Sequence, residues 1–178
     1  MKKILTKCRS VESALSLMRH PVCIILDNIR SLHNVGSVFR TADAACVEKL
    51  YLCGITGHPP EPEIAKTALG AQAAVPWEYH RDALGPARDL RERGYQVLAV
   101  EQTDESVCFW DQMYSEKIAL IFGYEIEGIS DTVLAECDGA IDIPMFGYKG
   151  SLNVSIACGI VLFDILRKRR PGCSRFRS

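Results

Sequence analysis

The chain has 178 residues, of which 48% are hydrophobic and 24% charged, and its 21 basic and 22 acidic side chains nearly cancel. This size and composition predict one globular domain with its own core, and they exclude disordered and fibrous proteins. The balanced charge does not mark the whole chain as a polyanion-binding protein.

Apolar runs of strand length alternate with helical patterns along the chain. In chain order, the patterns predict a helix at 11–18, a strand at 22–26, a helix at 35–45, a strand at 47–53, helices at 64–69 and 82–93, strands at 95–101 and 117–122, a helix at 131–136, a strand at 140–144 and a helix at 152–169. The strand segments are almost continuously apolar, as in strands that are buried on both faces. We therefore predict an α/β sandwich built on a parallel sheet.

Capping and turn residues support several of these boundaries. Ser10 and Asn34 are predicted to cap the first two helices, and Gly94 to end the helix at 82–93. The Gly/Pro-rich segment at 54–63 is predicted to be an exposed loop after the second strand, where α/β folds commonly place ligand contacts.

The cysteines contain no C-x-x-C pair, and most lie inside apolar runs. This pattern favours buried, reduced thiols over a disulfide scaffold or a zinc site. The eight positions are Cys8, Cys23, Cys46, Cys53, Cys108, Cys137, Cys158 and Cys173.

Both ends of the chain are basic. The segment at 167–178 contains six basic side chains and no acid, and it fits either an RNA-contacting tail or a solvated C-terminus. The first residues lack the apolar core and cleavage site of a secretory signal. Because no apolar run approaches the roughly 20 residues that span a bilayer, we expect a soluble, cytoplasmic protein without membrane contact.

Polar clusters stand near the ends of three predicted strands. The first, at 27–45, contains Asn34 and Arg40, although a lone helical arginine is more often a surface residue. The second, at 120–130, places two glutamates between two glycines. It fits either a ligand contact or a tight turn before a helix that Ser130 caps.

The third cluster joins the last predicted strand to the long C-terminal helix through the sequence IPMFGYKGSLN at 143–153. Gly147 and Gly150 permit backbone shapes that let main-chain amides approach a ligand closely. The fingerprints of dinucleotide-binding domains, P-loop proteins and α/β-hydrolases are absent from the sequence.

In this order and spacing, the three clusters resemble the motifs of the SpoU/TrmH branch of the SPOUT superfamily of RNA methyltransferases. The resemblance covers about residues 22–168. It rests on N-x-G-x-x-x-R at 34–40, on G-x-E-x-x-G at 123–128, and on I-P-M followed by S-L-N-V-S within 143–155, and the segment at 64–70 also resembles the family's KTaLG sequence.

The resemblance implies a fold and an assembly. The fold is a parallel-sheet α/β sandwich with a C-terminal deep trefoil knot at about 118–168, in a single domain covering residues 1–178. Residues 1–21 would form an N-terminal helical extension without a separate RNA-binding domain, and residues 169–178 a basic tail. The resemblance also implies a homodimer whose active site lies at the interface, so that Arg40 serves the cofactor of the opposite subunit.

The resemblance further implies transfer of a methyl group from S-adenosylmethionine, without a metal, to a ribose 2′-hydroxyl of RNA, with tRNA preferred to rRNA. The implied cofactor-binding residues are Glu101, Thr103, Gly123, Ile143, Met145 and Leu152. The implied catalytic residues are Arg40, Asn34, Glu125, Ser151 and Asn153. The matching arginine of the family has been proposed as a general base, but a guanidinium rarely loses its proton, so we expect Arg40 to act as a clamp and electrostatic stabiliser. Asn34 would be a positioning group, Glu125 would orient Arg40, and Ser151 with Asn153 would lie between cofactor and RNA.

Tyr124 departs from the family pattern, because the family usually has Asn there. We expect the loop backbone to be retained, since Gly123 and Glu125 are present. The alternatives that stay open are an RNA- or cofactor-binding protein without catalysis, and methylation of a base. The general base is unassigned, because a guanidinium rarely loses its proton in a protein.

Overall fold

A seven-stranded parallel β-sheet organises the computed structural model, which describes residues 10–124 and 127–169. Its strands are β1 (His20–Asp27), β2 (Val47–Cys53), β3 (Trp77–His80), β4 (Gln96–Val100), β5 (Val107–Cys108), β6 (Ile118–Phe122) and β7 (Gly139–Asp142). Hydrogen-bonded neighbours follow the order β3-β2-β1-β6-β4-β7-β5. The predicted parallel α/β architecture is confirmed.

Helices cover both faces of the sheet. They are α1 (Val11–Leu15), α2 (Leu32–Ala44), α3 (Pro62–Ala68), α4 (Ala71–Ala74), α5 (Leu84–Glu92), α6 (Asp131–Leu134) and α7 (Val154–Arg169). Successive side chains of a strand point to opposite faces. In β1, Ile24 and Leu26 therefore pack into the core with α2, α3 and α7, whereas Cys23 and Ile25 pack on the other face with α5 and α6.

Three elements were not predicted from the sequence. The strands β3 and β5 lie at the two edges of the sheet, and β5 is only two residues long. The helix α4 is a single turn of four residues directly after Gly70, whose φ is +95°. Strand β5 and helix α4 are too short to show a hydrophobic period, whereas the four residues of β3 do alternate between aromatic and polar side chains.

The predicted cap of the second helix is wrong. Helix α2 begins at Leu32, and Ser31 is its N-cap, with a side-chain oxygen that accepts a hydrogen bond from the Asn34 amide at 3.3 Å. Serine caps a helix as well as asparagine does, and it occurs three residues earlier. Asn34 therefore lies in the first turn of α2. Two other predicted boundaries are confirmed. Ser10 caps α1, and Gly94, whose φ is +80°, follows the end of α5.

The thiols of the described residues are free. Cys23, Cys53 and Cys158 are buried, whereas Cys46, Cys108 and Cys137 are half-buried. Cys8, Cys173, the basic N-terminal residues and residues 170–178 lie outside the described residues. Of the basic C-terminal segment, Arg167, Lys168 and Arg169 form the end of α7, where Arg167 and Lys168 pair with Asp164. Burial raises the pKa of the Cys23 and Cys158 thiols to about 12.

Residues 10–124 and 127–169 contain no helix long and apolar enough to cross a membrane. The same part of the chain has no group of three or more His, Cys, Asp or Glu side chains placed to hold a metal ion.

We predict that iodoacetamide at pH 8 alkylates Cys23 and Cys158 much more slowly in the native protein than in guanidinium. The thiolate is the nucleophile, and a pKa that rises from 9.0 to about 12 lowers the thiolate population roughly a thousandfold at this pH. Mass spectrometry of timed samples measures the rate at each site. Equal rates in the two states would contradict this burial.

Candidate functional site

A cavity of about 400 Å³ opens at the carboxyl ends of three neighbouring strands, β6, β4 and β7. The segments that follow these strands form its walls, together with the residues before and at the start of α7. Its volume lies within the range of small-molecule sites, and the edge of an open parallel sheet is a common position for such a site.

The structure brings all six predicted cofactor-binding residues together. Glu101, Thr103, Gly123, Ile143, Met145 and Leu152 line the cavity, and so does Ser151. Further lining residues, which the sequence did not single out as cofactor contacts, are Gln102, Glu127, Ile129, Leu134, Asp142, Val154 and Ala157. Of these, Asp142 has a signal in the sequence, since it is a polar side chain near the end of a predicted strand. Placement supports the predicted roles, which remain predictions.

Close backbone contact between Gly123 and Gly128 shapes one side of the cavity. A Cβ atom added to Gly123 would lie 2.6 Å from the Gly128 carbonyl carbon and 2.7 Å from its oxygen. Gly128 itself has a φ of +68°, in the left-handed region. These two glycines, rather than Gly147 and Gly150, carry the backbone constraint. A Cβ on either of the latter two would meet no atom within 4 Å, and neither has a left-handed φ.

The carboxylate of Glu101 connects the end of β4 to the loop that contains Gly128. One oxygen accepts a hydrogen bond from the Gln102 amide at 3.1 Å, and the other accepts one from the Ile129 amide at 3.3 Å. A side chain on Gly128 would collide with this carboxylate, whose Oε2 atom lies 2.7 Å from the added Cβ position. Glu101 therefore holds two walls of the cavity together.

The main chains of Tyr124 and Gly128 are in direct contact at the side of the cavity. The Gly128 amide donates to the Tyr124 carbonyl at 2.8 Å, and the two residues form an antiparallel bridge. The Tyr124 side chain lines the cavity, and the Arg30 guanidinium carbon lies 4.5 Å from its ring centroid. This cation–π contact joins the first and second polar clusters. Glu125 lies outside the described residues.

A direct hydrogen bond joins the first and third clusters. The Asn153 side-chain amide donates to the side-chain oxygen of Asn34 at 3.0 Å. The Asn153 side-chain oxygen accepts from the amide and the hydroxyl of Ser155, at 2.9 and 2.6 Å. Asn153 therefore serves as a cap at the start of α7 and at the same time fixes that helix to α2.

Helix α2 also packs closely on α3 at Gly36. A Cβ on this glycine would overlap the Thr67 hydroxyl and the Ile64 carbonyl oxygen. The Thr67 hydroxyl donates to the His33 carbonyl at 3.1 Å. The glycine of the first motif and the threonine of the KTaLG segment are thus needed for the same contact between helices.

Arg40 does not line the cavity. Its exposed side chain borders a separate, shallow depression with Ser37, Thr41, Ala44, Lys66, Thr67 and Phe163. The segment at 54–63 does not line the cavity either, contrary to the expectation that ligand contacts would occur there. It follows β2, which is separated from β4 by β1 and β6 in the sheet.

The sequence profile described as the SpoU rRNA Methylase family matches residues 21–163. The chain is 34% identical over 161 residues to the tRNA (guanosine(18)-2′-O)-methyltransferase of Thermus thermophilus, with 90% of this chain and 82% of that protein covered.

Solved structures resemble the fold closely. The TrmH/SpoU tRNA modifying enzyme of A. aeolicus superimposes with a TM-score of 0.80 at 30% identity, covering 89% of this chain and 80% of that one. An AdoMet-bound rRNA methyltransferase from Sinorhizobium meliloti gives a TM-score of 0.78 at 29% identity, covering 87% of this chain and 59% of that one. The predicted knot is implied by this fold family rather than by the strand order alone.

We predict that Gly123→Ala weakens the binding of S-adenosylmethionine about five- to 150-fold, as measured by calorimetry. The added methyl group meets backbone atoms of Gly128, so the loop has to move, and such overpacking typically costs about 1–3 kcal/mol. Gly85→Ala is the matched control, because a Cβ at Gly85 meets nothing within 4 Å and lies on α5. Equal affinities for the two variants would show that the loop contact does not shape the site.

Proposed function

The chain belongs to the SpoU rRNA Methylase family, and from that premise we propose that it methylates a ribose 2′-hydroxyl of RNA, with transfer RNA as its substrate. The protein is an enzyme, and S-adenosylmethionine is its methyl donor. The observation that carries the proposal is the cavity at the ends of β6, β4 and β7, because every residue predicted to bind the cofactor lines it.

The residues present fit S-adenosylmethionine. Ile143, Met145 and Leu152 offer apolar walls for a planar base, and Glu101 supplies a carboxylate beside them. The missing side chain at Gly123 lets the Gly128 backbone pack closely at the side of the cavity, where a Cβ atom would collide with it. When bound, the cofactor supplies a methyl group on a positively charged sulfur, which is electrophilic without help from a metal.

The protein has to align the attacking hydroxyl and assist the loss of its proton. Ser151 lines the cavity and is exposed, so it can contact a ribose that enters from solvent. Asn153 fixes the start of α7 and contacts Asn34, which holds the first and third motifs in one arrangement. We assign these residues to positioning of the ribose, and we leave the proton acceptor unassigned.

Arg40 is proposed as the clamp that stabilises negative charge developing on the ribose oxygen. It lies six residues after Asn34, and a helix rises by about 9 Å over that length. Since Arg40 borders a depression separate from the cavity, we propose that it serves the cavity of a second subunit. The predicted role of Glu125, orientation of Arg40, stays part of this proposal.

Exposed apolar side chains support a homodimer. Ile156 and Phe163 are 54% and 51% exposed, and they lie seven residues apart on α7, which places them on one helix face. Phe163 borders the same depression as Arg40. A two-fold contact through this face would cover the apolar side chains and bring Arg40 to the partner subunit.

Transfer RNA is the proposed substrate because the relative from Thermus thermophilus is named for guanosine 18 of tRNA. Guanosine 18 is therefore the first nucleotide to examine. Ribosomal RNA is the second candidate, since the structural neighbour from Sinorhizobium meliloti is an rRNA methyltransferase. Either substrate agrees with the expected cytoplasmic location.

We predict that the purified protein transfers label from radiolabelled S-adenosylmethionine to unmodified tRNA, and that the modified linkage resists alkaline hydrolysis. Arg40→Ala should lower kcat by about 10²–10³, as expected for the loss of one charge-stabilising group. Binding of the donor without any transfer would identify a non-catalytic binding protein. In a parallel assay with ribosomal RNA, transfer to that RNA but not to tRNA would reassign the substrate.

We also predict that a mixture of Arg40→Ala and Asn153→Ala subunits recovers activity that neither variant has alone. If Arg40 acts across the interface, a mixed dimer contains one intact site, so random mixing restores up to about a quarter of the wild-type rate. The mixture is refolded together and assayed for methyl transfer. No recovery in verified mixed dimers would place Arg40 and Asn153 in a site within one subunit.

A further inference from the structure

Three exposed aromatic side chains lie beside the cavity: Trp110, Phe146 and Tyr148. We propose that these residues, the aromatic platform, bind unpaired bases of the substrate RNA by stacking. The proposal rests on the proposed function, since it describes how RNA reaches that same site.

The platform contributes little to the stability of the fold. Phe146 and Tyr148 are 86% and 97% exposed, and Trp110 is 55% exposed. Aromatic rings stabilise a protein mainly when they are buried, and an exposed apolar patch commonly marks a binding surface. The rings of Trp110 and Phe146 lie nearly parallel, at an interplanar angle of 21° with centroids 6.3 Å apart. Flat, exposed rings in this arrangement can extend a stack of bases.

The platform lies at the same edge of the sheet as the cavity. Phe146 and Tyr148 belong to the segment between Met145 and Ser151, both of which line the cavity. Trp110 follows β5, which pairs with β7, and the Phe109 amide donates to the Asp142 carbonyl at 2.9 Å. A nucleotide whose ribose enters the cavity would therefore have its neighbours close to these rings.

The backbone that carries Trp110 is fixed before any ligand binds. The Lys168 ammonium group donates to the carbonyls of Phe109, Trp110 and Gln112 at 2.9, 2.9 and 3.0 Å. The same group lies 2.8 Å from a carboxylate oxygen of Asp164, which is buried on α7. A surface that is already ordered loses less entropy when it binds, which favours affinity.

RNA fits this surface better than a protein partner does. The Lys149 ammonium lies 5.4 Å from the Tyr148 ring centroid. A cation that can bind a phosphate therefore lies beside a ring on which a base can stack. Proteins recognise unpaired RNA bases by stacking them on aromatic rings. The proposed dimer contact uses Ile156 and Phe163 on α7. The platform lies on two loops instead, so the two proposed surfaces share no residue.

The test measures RNA binding separately from methyl transfer. Trp77→Phe leaves Trp110 as the only tryptophan of the chain, because the sequence has two. Titration with an unmodified tRNA transcript should then quench its fluorescence to saturation. In the wild-type background, Phe146→Ala and Trp110→Ala should each weaken tRNA binding about five- to hundredfold in filter assays. Met113→Ala, in the same segment and 83% exposed, is the control and should bind normally.

Three results would overturn the platform: unchanged tRNA affinity in both aromatic variants, no tRNA binding by the wild-type protein, or conversion of dimer to monomer by Phe146→Ala. The last result would mean that a second copy of the chain covers the rings. If Phe146→Ala transfers methyl groups normally and binds tRNA with unchanged affinity, base stacking on the platform is rejected and the proposed reaction is not. If tRNA quenches the fluorescence and the aromatic variants bind it more weakly, but no methyl group is transferred, the proposed reaction is rejected and the platform is not.

Discussion

The pairing of β6, β4 and β7 as neighbouring parallel strands is the constraint on which the site depends. These strands end at residues 122, 100 and 142, so their following loops are far apart in the sequence. Parallel pairing places all three carboxyl ends at one edge, where the loops form a single cavity. Residues around Glu101, Gly123 and Ile143 meet there because of strand order, and none of the three loops could form the cavity alone.

Contacts between the loops then give the cavity its shape. Gly123 allows the backbone at Gly128 to approach, and Glu101 accepts a hydrogen bond from the amide that follows Gly128. The Tyr124 carbonyl accepts a hydrogen bond from the Gly128 amide, while the Tyr124 ring contacts Arg30. This hydrogen bond uses the main chain, so it does not require the asparagine that is usual in the family.

The sequence predicted much of the fold, because its central strands are long, apolar and regularly spaced. Strand β2 was predicted with its observed ends, and the six cofactor residues were implied by the resemblance to the SpoU/TrmH family. The edge strand β5 was missed because two residues carry no period. The edge strand β3 was missed although its four residues alternate between aromatic and polar side chains. The predicted cap of α2 was wrong because Ser31 and Asn34 are comparable N-cap residues, and the structure uses Ser31. The separation of Arg40 from the cavity depends on helix placement, which no local pattern contains.

That separation has a physical consequence for the proposed reaction. Asn153 caps α7 and contacts Asn34, so the start of α7 and the start of α2 form one rigid junction next to the cavity wall at Leu152. Arg40 extends from this junction by nearly two helical turns, in the direction away from Asn34 along α2. Rotation of the Arg40 side chain moves its guanidinium group but leaves α2 and α7 in place. If Arg40 acts on the ribose bound by a second subunit, as proposed, dimer formation belongs to the chemistry as well as to stability.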